Sequence, residues 1–155
     1  MYTIKIKKLR KDAILPKKGR PEDACYDLYT SEETFVRKGQ TVVVPTGIAM
    51  EMPLNLEAEI RPRSGISSKG VPCETEFGYM TNADCLVIQG TIEPEYRGEI
   101  GIIFKNLSGY DIRIPKHTRL AQMKINEIPN TAIEEAEELS ESSRGTAGYG
   151  SSGVN

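Results

Sequence analysis

The sequence predicts an all-β protein, a sandwich or barrel of many short strands, and three observations carry that prediction. Apolar and polar residues alternate over short windows, the period-2 pattern of a half-buried strand, most strictly in Tyr2-Thr3-Ile4-Lys5-Ile6-Lys7. Segments of this kind recur at roughly the 8–12-residue spacing of sandwiches and barrels, with turn signals between them. Fourteen glycines and nine prolines in 155 residues suit many turns better than long helices. A chain of this length has material for one core and too little for two. With no Trp, three Phe and seven Tyr, that core must rest on Ile, Val and Leu.

Taken in order, residues 2–7 are the first predicted strand. Phe35-Val36 and Thr41-Val42-Val43-Val44 follow, read as a hairpin around Arg37-Lys38-Gly39-Gln40. Residues 48–52 and 56–60 are two more strands, parted by Pro53-Leu54-Asn55. Residues 86–92, 100–104, 112–114 and 120–125 complete the set. One short helix is expected at 64–69, where Ile66-Ser67-Ser68-Lys69 follows Ser64-Gly65. The run Ala132-Ile133-x-x-Ala136-x-x-Leu139 has helical spacing and Glu-rich filling. After Leu139 the composition turns to Ser and Gly, as in a mobile tail.

Twenty basic residues against 22 acidic ones leave a charge of −2, which argues against a nucleic-acid or membrane-surface binder. No apolar run approaches the ~18–20 residues of a membrane span, and the N-terminus lacks a signal-peptide core. Cys25, Cys73 and Cys85 are an odd set without CxxC spacing, and His117 is the sole histidine. The expectation is a cytoplasmic protein with reduced thiols, rather than a disulfide or structural-metal protein.

Four stretches could carry chemistry, each with a blander alternative. Arg61-Pro62-Arg63-Ser64-Gly65 places guanidinium groups, a hydroxyl and backbone N–H groups at a loop-to-helix junction. That suits an anion such as phosphate, or simply a short helix start with solvated arginines. The tail after Arg144, with glycines at 145, 148, 150 and 153, could fold over an anionic ligand as a lid. Its backbone amides would donate and Tyr149 would stack; a disordered end is the commoner meaning. In Gly90-Thr91-Ile92-Glu93-Pro94-Glu95-Tyr96-Arg97-Gly98 a carboxylate beside a Pro turn could deprotonate a water, or be a charged hairpin tip. Asp27, in Ala24-Cys25-Tyr26-Asp27-Leu28, is an acid in an apolar context that needs a partner or a metal-bound water, or caps a turn.

In this order and spacing the stretches resemble the five motifs of the trimeric dUTPase family, nearly end to end. Ala24-Cys25-Tyr26-Asp27-Leu28 is similar to the first motif, with Cys25 where Gly is usual. Arg61-Pro62-Arg63-Ser64-Gly65 with Lys69-Gly70 is similar to the second, residues 90–98 to the third, and Arg119-Leu120-Ala121-Gln122 to the fourth. Arg144-Gly145 through Gly153 resembles the fifth, with Tyr149 for Phe and Ser152 for Thr.

The resemblance implies a jelly-roll or β-clip barrel over residues 1–139, a C-terminal arm over 140–155, and a homotrimer with active sites at subunit interfaces. It implies hydrolysis of dUTP to dUMP and pyrophosphate with Mg2+, by attack of water on the α-phosphorus. By position, Glu93 would activate the water, and Tyr96 would pack under the deoxyribose and exclude a 2′-hydroxyl. The hairpin at Gly90 would read uracil through its backbone. Arg63, Ser64, the Gly65 amide and Gln122 would hold the phosphates, and Asp27 would reach Mg2+ through water. Arg144, Ser151 and Ser152 would clamp the γ-phosphate while Tyr149 stacks on uracil, with Gly150 supplying backbone. The resemblance also turns residues 132–139 from a helix into a late strand leading to the arm.

Two departures stand out. Glu93 replaces the family's Asp, moving the carboxylate by about one C–C bond, ~1.5 Å, where a ~1 Å misplacement can cost ~10²-fold in rate. Residues 71–84 lengthen the link between the second and third motifs, and are expected to form a surface excursion flanking the site. Two other readings are a dUTP-binding regulatory protein in which Glu93 has cost the chemistry, and a dCTP deaminase. The second is disfavoured by Tyr96 and the Gly-rich arm.

Overall fold

Alternation at the N-terminus yields strand β1 (Lys5–Lys8), which pairs antiparallel with β5 (Ile48–Glu51) through Lys5↔Glu51 and Ile6↔Met50. It starts later than the alternation suggests, and its lysines stand in solvent while Met50 is buried. This computed structural model describes residues 1–148, so Tyr149, Gly150, Ser151 and Ser152 lie outside the described residues. The fold is all-β with one short helix, as the sequence predicts. Its antiparallel strands form jelly-roll-like sheets rather than a closed barrel.

The sheet that positions the site has the order β10 (Gly90–Ile92), β6 (Leu56–Pro62), β13 (Arg119–Glu127), β2 (Cys25–Tyr29). Leu28, Met123, Ile60 and Ala58 point into the core, and the alternate residues form a polar face. A second sheet runs β4 (Thr41–Pro45), β11 (Gly101–Asn106), β9 (Cys85–Ile88). A third runs β3 (Thr34–Val36), β12 (Ile112–Ile114), β7 (Val71–Thr75), β8 (Met80–Ala83). Phe104, Ile102, Ile112, Ile114, Val36, Val44 and Leu120 meet between the sheets with no exposed surface. Burying each such side chain is worth about 1.5–3 kcal/mol.

Three expectations are corrected. Residues 34–44 are not a hairpin: β3 pairs with β12 and β4 with β11, so the turn is a corner where the chain changes sheet. The corner is held by Gln40 N–H donating to Arg37 O, by Gly39 N–H to Asn106 O, and by Lys38 N–H to Asp111 Oδ1. Local alternation cannot tell such a corner from a hairpin. Residues 71–84 are only partly a surface excursion. The hairpin β7–β8 sinks Val71, Cys73 and Ala83 into the core and exposes Phe77, Tyr79 and Met80 near its tip. Residues 132–139 form neither helix nor strand, and Ile133 and Leu139 stand in solvent. Glu134, Glu137, Glu138 and Glu141 would repel at helical i,i+3 and i,i+4 spacing, and a strand there has no neighbour within the described residues.

The helix α1 (Ser64–Lys69) forms where expected, directly after Pro62 ends β6. Ile66 is its one buried residue, and Gly70 closes it with its N–H on Ile66 O at 2.9 Å. Gly70 has φ of +83°, and a Cβ there would stand 2.6 Å from Ala83 O. Helix end and β8 therefore require glycine at this position. All three cysteines are free. Burial pushes the Cys73 thiol up, and pushes the Cys85 thiol up to about 11.

Candidate active site

Register in the β2–β13–β6 sheet assembles the first group of predicted residues. Gln122 lies opposite Asp27 on one side and opposite Arg61 on the other, so residues from three distant segments share one row and one face. Asp27 is largely covered and accepts from Arg63 Nε at 2.8 Å and from Arg119 Nη1 at 3.4 Å. Arg63 Nη1 also donates to Arg119 O at 3.1 Å, and Gln122 Nε2 to Pro62 O at 2.9 Å. Burial first, and the charge of Asp27 second, push the Tyr29 phenol up.

Asp27, Arg63, Ser64 and Gln122 line one cleft of about 370 Å3, together with the loop through Gly19, Asp23 and Ala24. Ser64 and Gly65 are exposed at its mouth, and the start of α1 has no side-chain cap. The cleft is lined by two guanidiniums, Arg63 and Arg119, and two carboxylates, Asp27 between them and Asp23, which accepts from Arg20 N–H within its own loop. This cluster suits a polyanion, whose charged oxygens match guanidinium donors. Arg61 does not line this cleft, and its Nε donates to Glu59 Oε2 at 2.5 Å.

Glu93 and Tyr96 lie elsewhere. They line a second cleft of about 530 Å3 with Thr91, Ile92, Val43, Glu99, Gly101 and Ile103, and among the described residues none borders both clefts. Gly90 opens β10 just before it. The Glu93 carboxylate is exposed, and Tyr96 N–H donates to Glu93 O at 3.0 Å in the tight turn at Pro94. Tyr96 Oη donates to Glu99 O at 3.1 Å, which lays the ring across Gly98. Because Gly90 lies opposite Ile60 and Ile92 opposite Ala58, β10 runs away from the Pro62 end of β6. Counted at about 3.3 Å per residue along this ladder, Glu93 and Ser64 are about 20 Å apart.

Of the remaining predicted residues, Arg144 borders neither cleft and donates to Ala147 O in its own turn, at 2.9 Å. Tyr149, Gly150, Ser151 and Ser152 fall outside the described residues. Reading the sequence misses Arg119 as a partner of Asp27, although it opens the fourth motif. It also misses the Gly19–Asp23 wall, where Arg20 N–H donates to Asp23 Oδ2, because a polar loop carries no periodic signal.

Among the described residues no three His, Cys, Asp or Glu side chains cluster as metal ligands. Asp27 is the carboxylate of the Arg63 cleft that faces its arginines. This donor set fits Mg2+, which keeps several waters and is commonly held by one or two carboxylates together with substrate phosphates.

Comparison with known proteins follows the same lines. Residues 11–153 match the family model described as dUTPase. The chain is 41% identical over 153 residues to the deoxyuridine 5'-triphosphate nucleotidohydrolase of Clostridioides difficile, covering 99% of each chain. It is 41% identical over 152 residues to that of Clostridium tetani, covering 98% of this chain and 97% of the other. Among solved structures, the Staphylococcus bacteriophage 80alpha dUTPase with dUpNHpp superposes with a TM-score of 0.84 at 27% identity, over 98% of this chain and 99% of that one. A dUTPase from phage phi11 of S. aureus, whose structure concerns coordination of a structural Mg(II) ion, shares the fold at TM-score 0.73 and 22% identity, over 88% and 97% of the two chains.

Proposed function

The chain belongs to the dUTPase family and hydrolyses dUTP, and from that premise we propose that its active site is shared between copies of the chain in a homotrimer. One observation carries the reading. The phosphate-type cleft at Asp27, Arg63 and Ser64 and the carboxylate cleft at Glu93 and Tyr96 are separate in one chain, about 20 Å apart along β6 and β10. A water activated at Glu93 cannot reach a phosphorus held at Ser64 of the same chain. A second copy presenting its Glu93 to the first copy's Ser64 removes the separation.

In this site Arg63, Ser64, the Gly65 amide and Gln122 bind the phosphates, and Arg63 also keeps Asp27 oriented. Asp27, acting through water, would hold Mg2+, which would supply neutralisation of phosphate charge when bound. Glu93 takes a proton from the water that attacks the α-phosphorus, and pyrophosphate leaves. The Tyr96 ring packs against the deoxyribose and leaves no room for a 2′-hydroxyl, while the backbone at Gly90 reads the base. Arg144, Ser151 and Ser152 close on the γ-phosphate with the amide of Gly150, and Tyr149 stacks on the uracil. Positioning and charge neutralisation are the main demands of phosphoryl transfer, and these groups meet both. We place the enzyme in the cytoplasm; no helix among the described residues is long and apolar enough to cross a membrane. The relatives and their dUTPase activity favour neither the deaminase nor the non-hydrolysing reading.

Complementation tests the shared site. Chains carrying Glu93→Gln and chains carrying Ser64→Ala are each expected to be nearly inactive. Unfolded and refolded together, they should recover about a quarter of the sites, those joining an intact Ser64 cleft to an intact Glu93 from another copy. A mixture no more active than its parts would refute a site shared between copies.

A further inference from the structure

Glu59 belongs to none of the five motifs, yet its carboxylate joins Arg61 of the second to Gln89, the residue just before the third. It sits in mid β6 with its side chain 12% exposed, paired across the ladder with Thr91 of β10 and Lys124 of β13. Its Oε2 accepts from Arg61 Nε, two residues on along the same face. Its Oε1 accepts from Gln89 Nε2, the residue immediately before Gly90. Both neighbours are donors, so only a side chain with two acceptor oxygens satisfies them together; a glutamine offers one acceptor and turns its own N–H2 toward the other donor.

We propose that Glu59 is a positioning residue that fixes the start of β10, and hence the backbone at Gly90, against β6. The consequence falls on the nucleoside half of the substrate. Gln89 is exposed, and the backbone it precedes is the edge of the sheet, since β10 pairs with β6 alone. Without the Glu59 bond, the side-chain anchor of that edge is lost. The phosphate groups are held by Arg63, Ser64 and Gln122, none of which touches Glu59. This rests on the reading that the Gly90 backbone meets the base.

The test is product inhibition on the intact enzyme, with Glu59→Gln, Gln89→Ala and the exchange Glu59→Gln with Gln89→Glu. The two single variants should each weaken dUMP inhibition about tenfold, one hydrogen bond's worth. Inhibition by pyrophosphate should stay at the wild-type level, KM for dUTP should rise and kcat should change less than KM. In the exchange the amide at position 59 donates to the carboxylate at position 89 while its oxygen still accepts from Arg61, so dUMP inhibition should be restored. Because Gln89 is on the surface, its variant reports even where Glu59→Gln folds poorly. Unchanged dUMP inhibition in Gln89→Ala overturns the proposal, as does an equal loss for dUMP and pyrophosphate, a fall confined to kcat, or failure of the exchange to rescue. Gly90→Ala tests the underlying reading separately. Its Cβ would meet nothing within 4 Å in the free chain. Wild-type dUMP inhibition in Gly90→Ala would remove base contact at Gly90 while leaving the result at Glu59 to decide its own role.

Discussion

Gly98→Ala perturbs one ring by an amount the geometry fixes. The new Cβ would lie 2.3 Å from the Tyr96 hydroxyl oxygen and 2.5 Å from its Cζ, where comfortable carbon contacts need about 3.5–4.0 Å. Tyr96 is 45% exposed, so the ring can swing into solvent and relieve the clash. It must move by about 1 Å or more, and the bond to Glu99 O is lost. Loss of one exposed hydrogen bond costs about 1 kcal/mol or less. That corresponds to a Tm lower by roughly 2–4 °C for a domain of this size. Function should suffer more, because a ~1 Å misplacement costs up to ~10²-fold. The assay is pyrophosphate release from dUTP and from UTP beside a thermal melt. The expected result is kcat/KM for dUTP down by about 10–100-fold, with poorer discrimination against UTP. Wild-type kcat/KM and discrimination would refute the placement of Tyr96 against the sugar.

Glu93→Ala should lower kcat about 10²–10⁴-fold with little change in Tm, measured by pyrophosphate release, since the side chain is exposed and, on the proposed mechanism, acts on the water alone. Asp27→Asn leaves Arg63 facing a neutral amide and should cost about 1–3 kcal/mol in urea unfolding, because the pair is mostly covered. Alkaline pH should weaken the fold. Cys73, Cys85 (about 11) and Tyr29 all have thiol or phenol pKa values raised by burial, so the native chain keeps protons that the unfolded chain releases. Their contribution is complete below the unfolded pKa values, at about pH 8.5 for Cys, and is lost as pH rises toward 11. Urea midpoints taken from pH 8 to pH 10.5 should fall, and Cys85→Ser should flatten the slope. Finally, the double change Ile133→Asp and Leu139→Asp alters two side chains that the single chain leaves in solvent. A lowered Tm would show that another copy covers them, and an unchanged Tm would show that they stay exposed in the assembly.

What could be read of the fold from sequence was the part governed by local alternation. β1, β6, β11, β12 and β13 follow period-2 patterns, and each lies where the pattern puts it within a few residues, whereas β5 is a short apolar run with Ile48, Ala49 and Met50 all buried. β2 escaped because Cys25-Tyr26-Asp27-Leu28-Tyr29 places a polar face against a cleft rather than open water, so its alternation is blurred. β7 and β8 escaped because Pro72, Glu74 and Gly78 read as loop, although Val71, Cys73 and Thr75 form the buried alternate set. Pro72 is tolerated because β7 pairs with β12 only through Glu74 and Thr75. The corner at residues 37–40 shows the other limit. Which strand a turn leads back to depends on distant partners, here Asn106 and Asp111, and a window of ten residues contains neither.

The site separates in the same way, into what one chain's order records and what only three dimensions supply. Five motifs in sequence named Asp27, Arg63, Ser64 and Gln122 together, and register explains why these four also meet: three antiparallel strands bring positions 27, 122 and 61 into a single row. Glu93 and Tyr96 stand beside them in the motif order but not in the chain. The reason is the direction of β10, which an antiparallel ladder with Gly90 opposite Ile60 forces to run back toward Ala58. No substitution within that ladder could carry Glu93 to Ser64 without reversing a strand. If hydrolysis needs both groups at one phosphate, assembly is therefore part of the catalytic geometry. On that argument, dilution that dissociates the copies should abolish turnover before it unfolds the sheet.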